Sequence, residues 1–249
     1  MRVIPAIDLK DGRCVRLIEG REDSAKVYDR DPIEVARGYE REGAQLIHIV
    51  DLDGAFLGGA SKNQKIVRRI VREVEIPVEV GGGVRSFDDS RVLLEDVGAR
   101  YVIVGTMAIE NPAALRQAIG EFGGAIVVGI DARGRSVATR GWIEPTDVDA
   151  IELARGVAEM GATRIIYTDI SRDGTLAGPN LELTRCIAEA SGITVTASGG
   201  VSSLKDIERL RDLEPYSVDS VIVGKALYEG RFSLRDAIAQ ASVPSREVS

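Results

Sequence analysis

Short apolar runs alternate with amphipathic helical patterns along the whole chain. The runs lie near residues 2–8, 46–51, 77–81, 101–105, 125–130, 164–168, 194–198 and 220–224. Each is rich in Val and Ile and nearly unbroken in apolar character, the pattern of parallel strands buried on both faces. The helices between them have readable ends. Asp31-Pro32 and Asn111-Pro112 place proline at a first helical position, and Ser86-Phe-Asp-Asp89 is a capping box with Asp in place of Glu. Gly43, Gly98 and Gly161 stand where helices should stop.

Eight strands alternating with about eight helices predict an α/β fold, a single (β/α)8 TIM barrel over residues 1–241. A doubly wound open sheet is the competing arrangement. An internal repeat favours the barrel. Pro77-Val-Glu-Val-Gly-Gly-Gly-Val-Arg-Ser86 is matched by Thr194-Val-Thr-Ala-Ser-Gly-Gly-Val-Ser-Ser203, and Tyr101-Val-Ile-Val-Gly105 by Ser220-Val-Ile-Val-Gly224. Ile4-Pro-Ala-Ile-Asp8 is likewise matched by Val127-Val-Gly-Ile-Asp131, and Gly43 to Asp51 by Gly161 to Asp169. All the offsets are about 120 residues, too long for a solenoid and right for one fold made of two similar halves. The halves fall at approximately 1–122 and 123–241, and two four-strand halves close on each other without leaving edges. Residues 242–249 lose periodicity and are expected to form a loose tail.

Forty-four percent apolar residues is ample for a buried core. A net charge of −7 argues against nucleic acid or an anionic membrane as a general partner. It leaves room for an anionic small molecule held by backbone donors and a few cations. The chain begins directly on a strand, and no apolar run approaches the ~20 residues of a membrane span. Two cysteines, Cys14 and Cys186, give no metal spacing and suit a reducing cytoplasm, with Cys186 expected in the core. The one histidine, His48, rules against Ser-His-Asp catalysis and a His-rich metal site. It alternates with apolar neighbours on a strand and reads as structural.

In a barrel of this kind the active site lies at the C-terminal ends of the strands. Asp8 and Asp131 end the first and fifth strands, are related by the repeat, and so face each other across the mouth. An Asp ending an otherwise apolar strand is suited to general acid–base chemistry, with the acid partner's pKa raised by desolvation or a neighbouring carboxylate. Thr168 and Asp169 end the sixth strand, and Asp51 and Asp53 the second; these three carboxylates read better as caps and loop holders. Glycine turns supply the other half of the site. Gly82, Gly83 and Arg85 stand with Gly105 and Thr106 after strands three and four. Ser198, Gly199 and Gly200 stand with Gly224 and Lys225 after strands seven and eight. Backbone N–H groups gathered at such turns bind phosphate. Two phosphate sites with acid–base groups between them imply a long substrate phosphorylated at both ends. The bland alternative is that one copy is a relic of duplication.

Val3-Ile-Pro-Ala-Ile-Asp-Leu-Lys-Asp-Gly12, His48-Ile-Val-Asp-Leu-Asp-Gly54, Asp169-Ile-Ser-Arg-Asp-Gly-Thr-Leu176 and Ile222-Val-Gly-Lys-Ala-Leu227 resemble the ProFAR isomerases of histidine biosynthesis, from about residue 1 to 240. ProFAR is phosphoribosylformimino-aminoimidazole carboxamide ribonucleotide. The resemblance implies an Amadori rearrangement of an aminoaldose to an aminoketose, with no cofactor and no metal, on a bisphosphorylated ribonucleotide; a cytoplasmic monomer is the expected form. It casts Asp8 as general base and leaves the acid open between Asp131 and Asp173, with Thr168 as a polar support. Asp11, Arg16, Arg140 and Trp142 become candidate substrate contacts, and Gly178 a further phosphate contact. Trp142 is placed either to stack on the imidazole of the substrate or simply to pack.

Three related readings compete. Phosphoribosylanthranilate isomerases perform the same rearrangement with a catalytic Cys where this chain has Asp8; Cys14 is six residues further on and does not match. A bifunctional isomerase of both pathways is compatible with Arg16, the Arg140–Trp142 loop and the run 173–180. The pathway's cyclase subunit shares the half-barrel repeat but has a Cys-Leu-Asp first strand where this chain has Ala6-Ile-Asp8. Outside enzymes altogether, a non-catalytic phosphosugar-binding barrel would not need Asp8, Asp131 and Asp173.

Overall fold

The apolar runs form strands, and those strands close on one another. The computed structural model describes residues 1–19, 21–58 and 61–243. In chain order the strands are β1 (Arg2–Lys10), β2 (Arg13–Ile18), β3 (Arg21–Tyr28), β4 (Ile47–Asp51), β5 (Val78–Gly81) and β6 (Tyr101–Val104). They continue as β7 (Ile126–Arg133), β8 (Ser136–Thr139), β9 (Glu144–Asp149), β10 (Arg164–Asp169), β11 (Thr194–Ser198) and β12 (Val218–Val223). Eight of them, β1, β4, β5, β6, β7, β10, β11 and β12, pair in parallel in that order. Two contacts complete the ring: β12 lies beside β1, with Ile4 opposite Ile222, and β7 beside β10, with Asp131 opposite Thr168. The fold is a (β/α)8 barrel, and the open-sheet alternative is set aside.

Helices cover the barrel: α1 (Pro32–Arg41), α2 (Leu52–Leu57), α3 (Gln64–Glu73), α4 (Phe87–Arg91), α5 (Thr106–Glu110) and α6 (Pro112–Phe122) in the first half. The second half has α7 (Ala150–Glu159), α8 (Leu181–Ser191), α9 (Leu204–Arg211), α10 (Lys225–Tyr228) and α11 (Leu234–Ser242). Their ends follow the local chemistry read above. The Asp31 carboxylate accepts from the Ile33 N–H and the Asn111 side-chain amide oxygen from the Ala114 N–H, each just ahead of a proline at the first turn. Ser86 and Asp89 close a reciprocal capping box, and so do their repeat partners Ser203 and Asp206. The main core lies between sheet and helices. A smaller one fills the barrel itself, with Ile4, Ala6, Leu46, Val127, Ile166 and Ile222 from alternating strand positions.

Three expectations need correcting. The sequence pattern missed two antiparallel hairpins, β2–β3 after β1 and β8–β9 after β7. Helix α11 runs through Ser242, past the expected start of the tail; residues 244–249 lie outside the described residues. Cys186 is half-buried at the edge of the core rather than inside it, whereas Cys14 is fully buried. Among the described residues no helix is long and apolar enough to cross a membrane.

Candidate active site

The site is built on paired features of the two halves. At the end of β4 the Asp51 carboxylate accepts from the Gly54 N–H (3.0 Å) and from the Asn63 amide (2.8 Å). At the end of β10 Asp169 accepts from the Ser171 N–H (3.0 Å) and the Asn180 amide (2.7 Å). Asp53 accepts from the Asp11 N–H and from Asn63. All three carboxylates hold loops, as their sequence context suggested. The glycine pairs pack directly on these corners. Gly82 and Gly199 have φ of +106° and +93°, and a Cβ on either would overlap the main-chain carbonyl of Asp51 or Asp169. Side chains are thereby excluded at these corners, which leaves the turn backbone open to a ligand.

These turns open on one cavity of about 1470 Å³ counted with its mouth. On one side it is lined by Gly82, Gly83, Arg85, Gly105 and Thr106, on the other by Ser198, Gly199, Gly200, Gly224 and Lys225. Asp8, Arg16, Asp131, Thr168, Asp173, Arg140 and Trp142 line it between and above. Two candidates lie elsewhere. Asp11 is exposed in the β1–β2 turn at φ +47°, with its N–H on Asp53. Gly178 stands behind the second turn, its N–H given to the Gly200 carbonyl and its own carbonyl taken by Arg172.

Three aspartates meet in this cavity in three different environments. Asp8 forms an ion pair with Arg16, whose Nη1 lies 2.6 Å from Oδ2. Arg16 comes from β2, reaches the Ala6 carbonyl with its other Nη, and lies 5.2 Å over the Tyr228 ring. Burial, the largest single influence, would lower the Arg16 pKa, but Asp8 together with Tyr228, Tyr39 and Asp173 outweighs it and keeps the guanidinium charged. Gly224 makes the arrangement possible, because a Cβ there would overlap that guanidinium. Asp131, on β7, has its pKa raised by burial, while the Trp142 and Thr168 side chains pull back toward the anion. Asp173 is carried on the loop after β10, and its pKa is pushed up to about 6 by burial and then by the Asp8 carboxylate.

That loop is held over the cavity by its main chain. The Glu19 N–H donates to the Asp173 carbonyl at 3.0 Å, and Lys225 Nζ donates to the Gly174 carbonyl at 2.6 Å. On the opposite side, the Arg140 N–H donates to Thr106 Oγ1, and the Arg140 guanidinium is taken by Glu110. Sequence reasoning missed one contributor. His48 lines the cavity floor from β4, and its Nδ1 lies 2.7 Å from the buried Glu79 carboxylate. Its place next to Asp8's strand, two residues before the inward-facing Val50, was the available signal. Among the described residues no group of three or more His, Cys, Asp or Glu is arranged to hold a metal.

Fold and site together define a class: a (β/α)8 barrel with two glycine cradles for anions and carboxylates between them. Comparison with known proteins narrows the class. A family model described as "Histidine biosynthesis protein" matches residues 2–233, and the chain belongs to that family. It is 52% identical over 238 residues to a protein of Gloeothece citriformis, covering 96% of this chain and 92% of that one. It is also 52% identical over 239 residues to one of Geotalea uraniireducens, covering 96% and 97%, and 50% identical over 238 residues to one of Synechocystis, covering 96% and 92%. Each of the three is named 1-(5-phosphoribosyl)-5-((5-phosphoribosylamino)methylideneamino) imidazole-4-carboxamide isomerase, the systematic name for ProFAR isomerase.

Proposed function

We propose that the chain is an isomerase that converts ProFAR to its ribulosyl isomer in histidine biosynthesis. The observation that carries this reading is the placement of Asp8 and Asp173, one paired with Arg16 and the other raised to about 6, between two anion cradles. Two carboxyl groups whose environments separate their protonation states are an acid and a base in waiting. The cradles set the two phosphates of the substrate at opposite ends and its aminosugar over the carboxylates.

In the proposed reaction Asp173 protonates the ribose ring oxygen, the C1′–O bond breaks, and a protonated Schiff base forms. Asp8 then removes the C2′ proton, giving an enolamine. That species gains a proton at C1′ and loses its hydroxyl proton, leaving the ketone. Asp173 ends one proton short and Asp8 one proton richer, and both are restored through solvent. Asp131, with Trp142 and Thr168 on it, serves as a fixed anion near the developing cation instead of the acid. Arg85 and Lys225 add positive charge to the two cradles, and Arg140 and Trp142 close over one end. The chemistry asks for no cofactor or metal. Two unpaired cysteines fit a reducing cytoplasm.

Steady-state kinetics on ProFAR and phosphoribosylanthranilate, with chelator-treated protein, test the reading. Turnover of ProFAR is the expected result. Comparable turnover of both would widen it to a bifunctional enzyme, and none on either would overturn it.

A further inference from the structure

We propose that Glu79 is a positioning residue: it holds the His48 imidazole in one tautomer, so that Nε2 presents a lone pair to a sugar hydroxyl of the substrate. The inference rests on the isomerase reading for its substrate, and on the geometry of the barrel floor for everything else. Glu79 (β5) and His48 (β4) are register partners on neighbouring strands, and both are buried, at 1% and 8% exposure. Their polar atoms meet at 2.7 Å, His48 Nδ1 on Glu79 Oε1. A carboxylate is only an acceptor, so Nδ1 carries the hydrogen and the other ring nitrogen is left to the cavity. Among the described residues Nε2 has no partner, and it is not among the sealed, unpartnered polar atoms.

An apolar residue at position 79 would fill a barrel interior as well as Glu, so the buried charge needs a reason. The charge is answered from below. Glu79 also lines a second cavity at the opposite end of the barrel with Arg2, Tyr101, Arg164 and Asp219. Arg164 is gripped by both Asp219 oxygens, at 2.6 and 2.7 Å, and also feels the Glu79 charge. Arg164 thus brings positive charge to Glu79 from the end of the barrel away from the main cavity. From above, the charged group felt across the cavity is Asp131. The imidazole thus lies between a carboxylate beneath it, engaged by Nδ1, and the substrate over it, faced by Nε2. An acceptor aimed at a hydroxyl present in both substrate and transition state contributes to binding more than to turnover.

The chain has one histidine, so its imidazole nitrogens give a single pair of signals in 15N NMR. The expected result is an Nδ1-protonated, neutral ring at pH 7 in the ligand-free protein, with the Nε2 signal moving on addition of ProFAR. E79L should give a mixture of tautomers and raise KM for ProFAR about tenfold at nearly unchanged kcat. E79Q keeps an acceptor for Nδ1–H and should restore both the tautomer and most of the KM; it also serves if E79L does not fold. An Nε2-protonated or doubly protonated ring in the wild type would overturn the proposal, as would an unchanged KM in folded E79L or a failure of E79Q to restore it. The tautomer is read without substrate, so an inactive wild type with the expected ring would sink the isomerase reading alone.

Discussion

In the proposed reaction Asp8 and Asp173 are the same residue type given opposite duties by what stands next to them. Replacing Asp8 by Asn keeps its size and removes the base; kcat should fall by about 10²–10⁴-fold while KM changes little, because the phosphate contacts survive. Asp173 has to be protonated to act as an acid, and its pKa stands at about 6. The ligand-free limb of a kcat/KM profile should therefore decline as pH rises through about 6, and D173N should lose that limb together with most of the rate. Stability runs the same way. The folded protein holds the Asp173 proton in a window, from the ordinary carboxylate range up to about 6, where the unfolded chain has lost it. Stability contributed by that group is thus complete at low pH and lost as pH rises through the window. D173N should unfold at a higher temperature than wild type at pH 7 and show little difference at pH 4, as thermal melts at the two values would show. Residue type and position were readable for both aspartates, but their division of labour was not. It depends on Arg16 arriving from another strand and on a loop folding over the mouth, and neither leaves a local pattern.

The elements that escaped the sequence pattern are the ones that finish the site. β2 brings Arg16 to Asp8, and the segment between β8 and β9 brings Arg140 and Trp142 over the cavity. Their residues lack the continuous apolar runs of the barrel strands: β2 is interrupted by Arg13 and Arg16, and β9 is mostly polar. The turn chemistry was nonetheless visible. Asp11-Gly12, with φ of +47° and +78°, is the tight-turn dipeptide that joins antiparallel strands, and it sits between runs rich in strand formers. The barrel strands were legible for the opposite reason: buried on both faces, they can be little other than Val, Ile and Ala. At the glycine corners the element tolerates almost nothing. Gly200 has φ +83° and a Cβ there would overlap the Gly178 carbonyl. G200A should cost about 1–3 kcal/mol of stability and raise KM at least several-fold, measurable by denaturant melts and kinetics.

Across the whole molecule, stability and chemistry are stacked along the barrel axis. Ile4 is buried in the interior plug beneath the cavity and does not line it. I4A should lower the unfolding free energy by about 2–5 kcal/mol, while the folded enzyme keeps kcat within a few-fold. A large drop in kcat at full folding would mean that the plug and the site are not independent. The repeat works at this scale too. Asp51 and Asp169, Asn63 and Asn180, and the two capping boxes are the same devices in both halves. The symmetry ends at the cations. Arg85 gives a hydrogen bond to the Ala55 carbonyl, whereas Lys225 gives one to Gly174, the neighbour of Asp173. On the proposed reading one ammonium answers to two claimants, an incoming phosphate and the backbone beside the acid. Occupancy at that end of the substrate would then be felt where the proton is delivered, and a fragment carrying only the other phosphate would leave the acid uninformed.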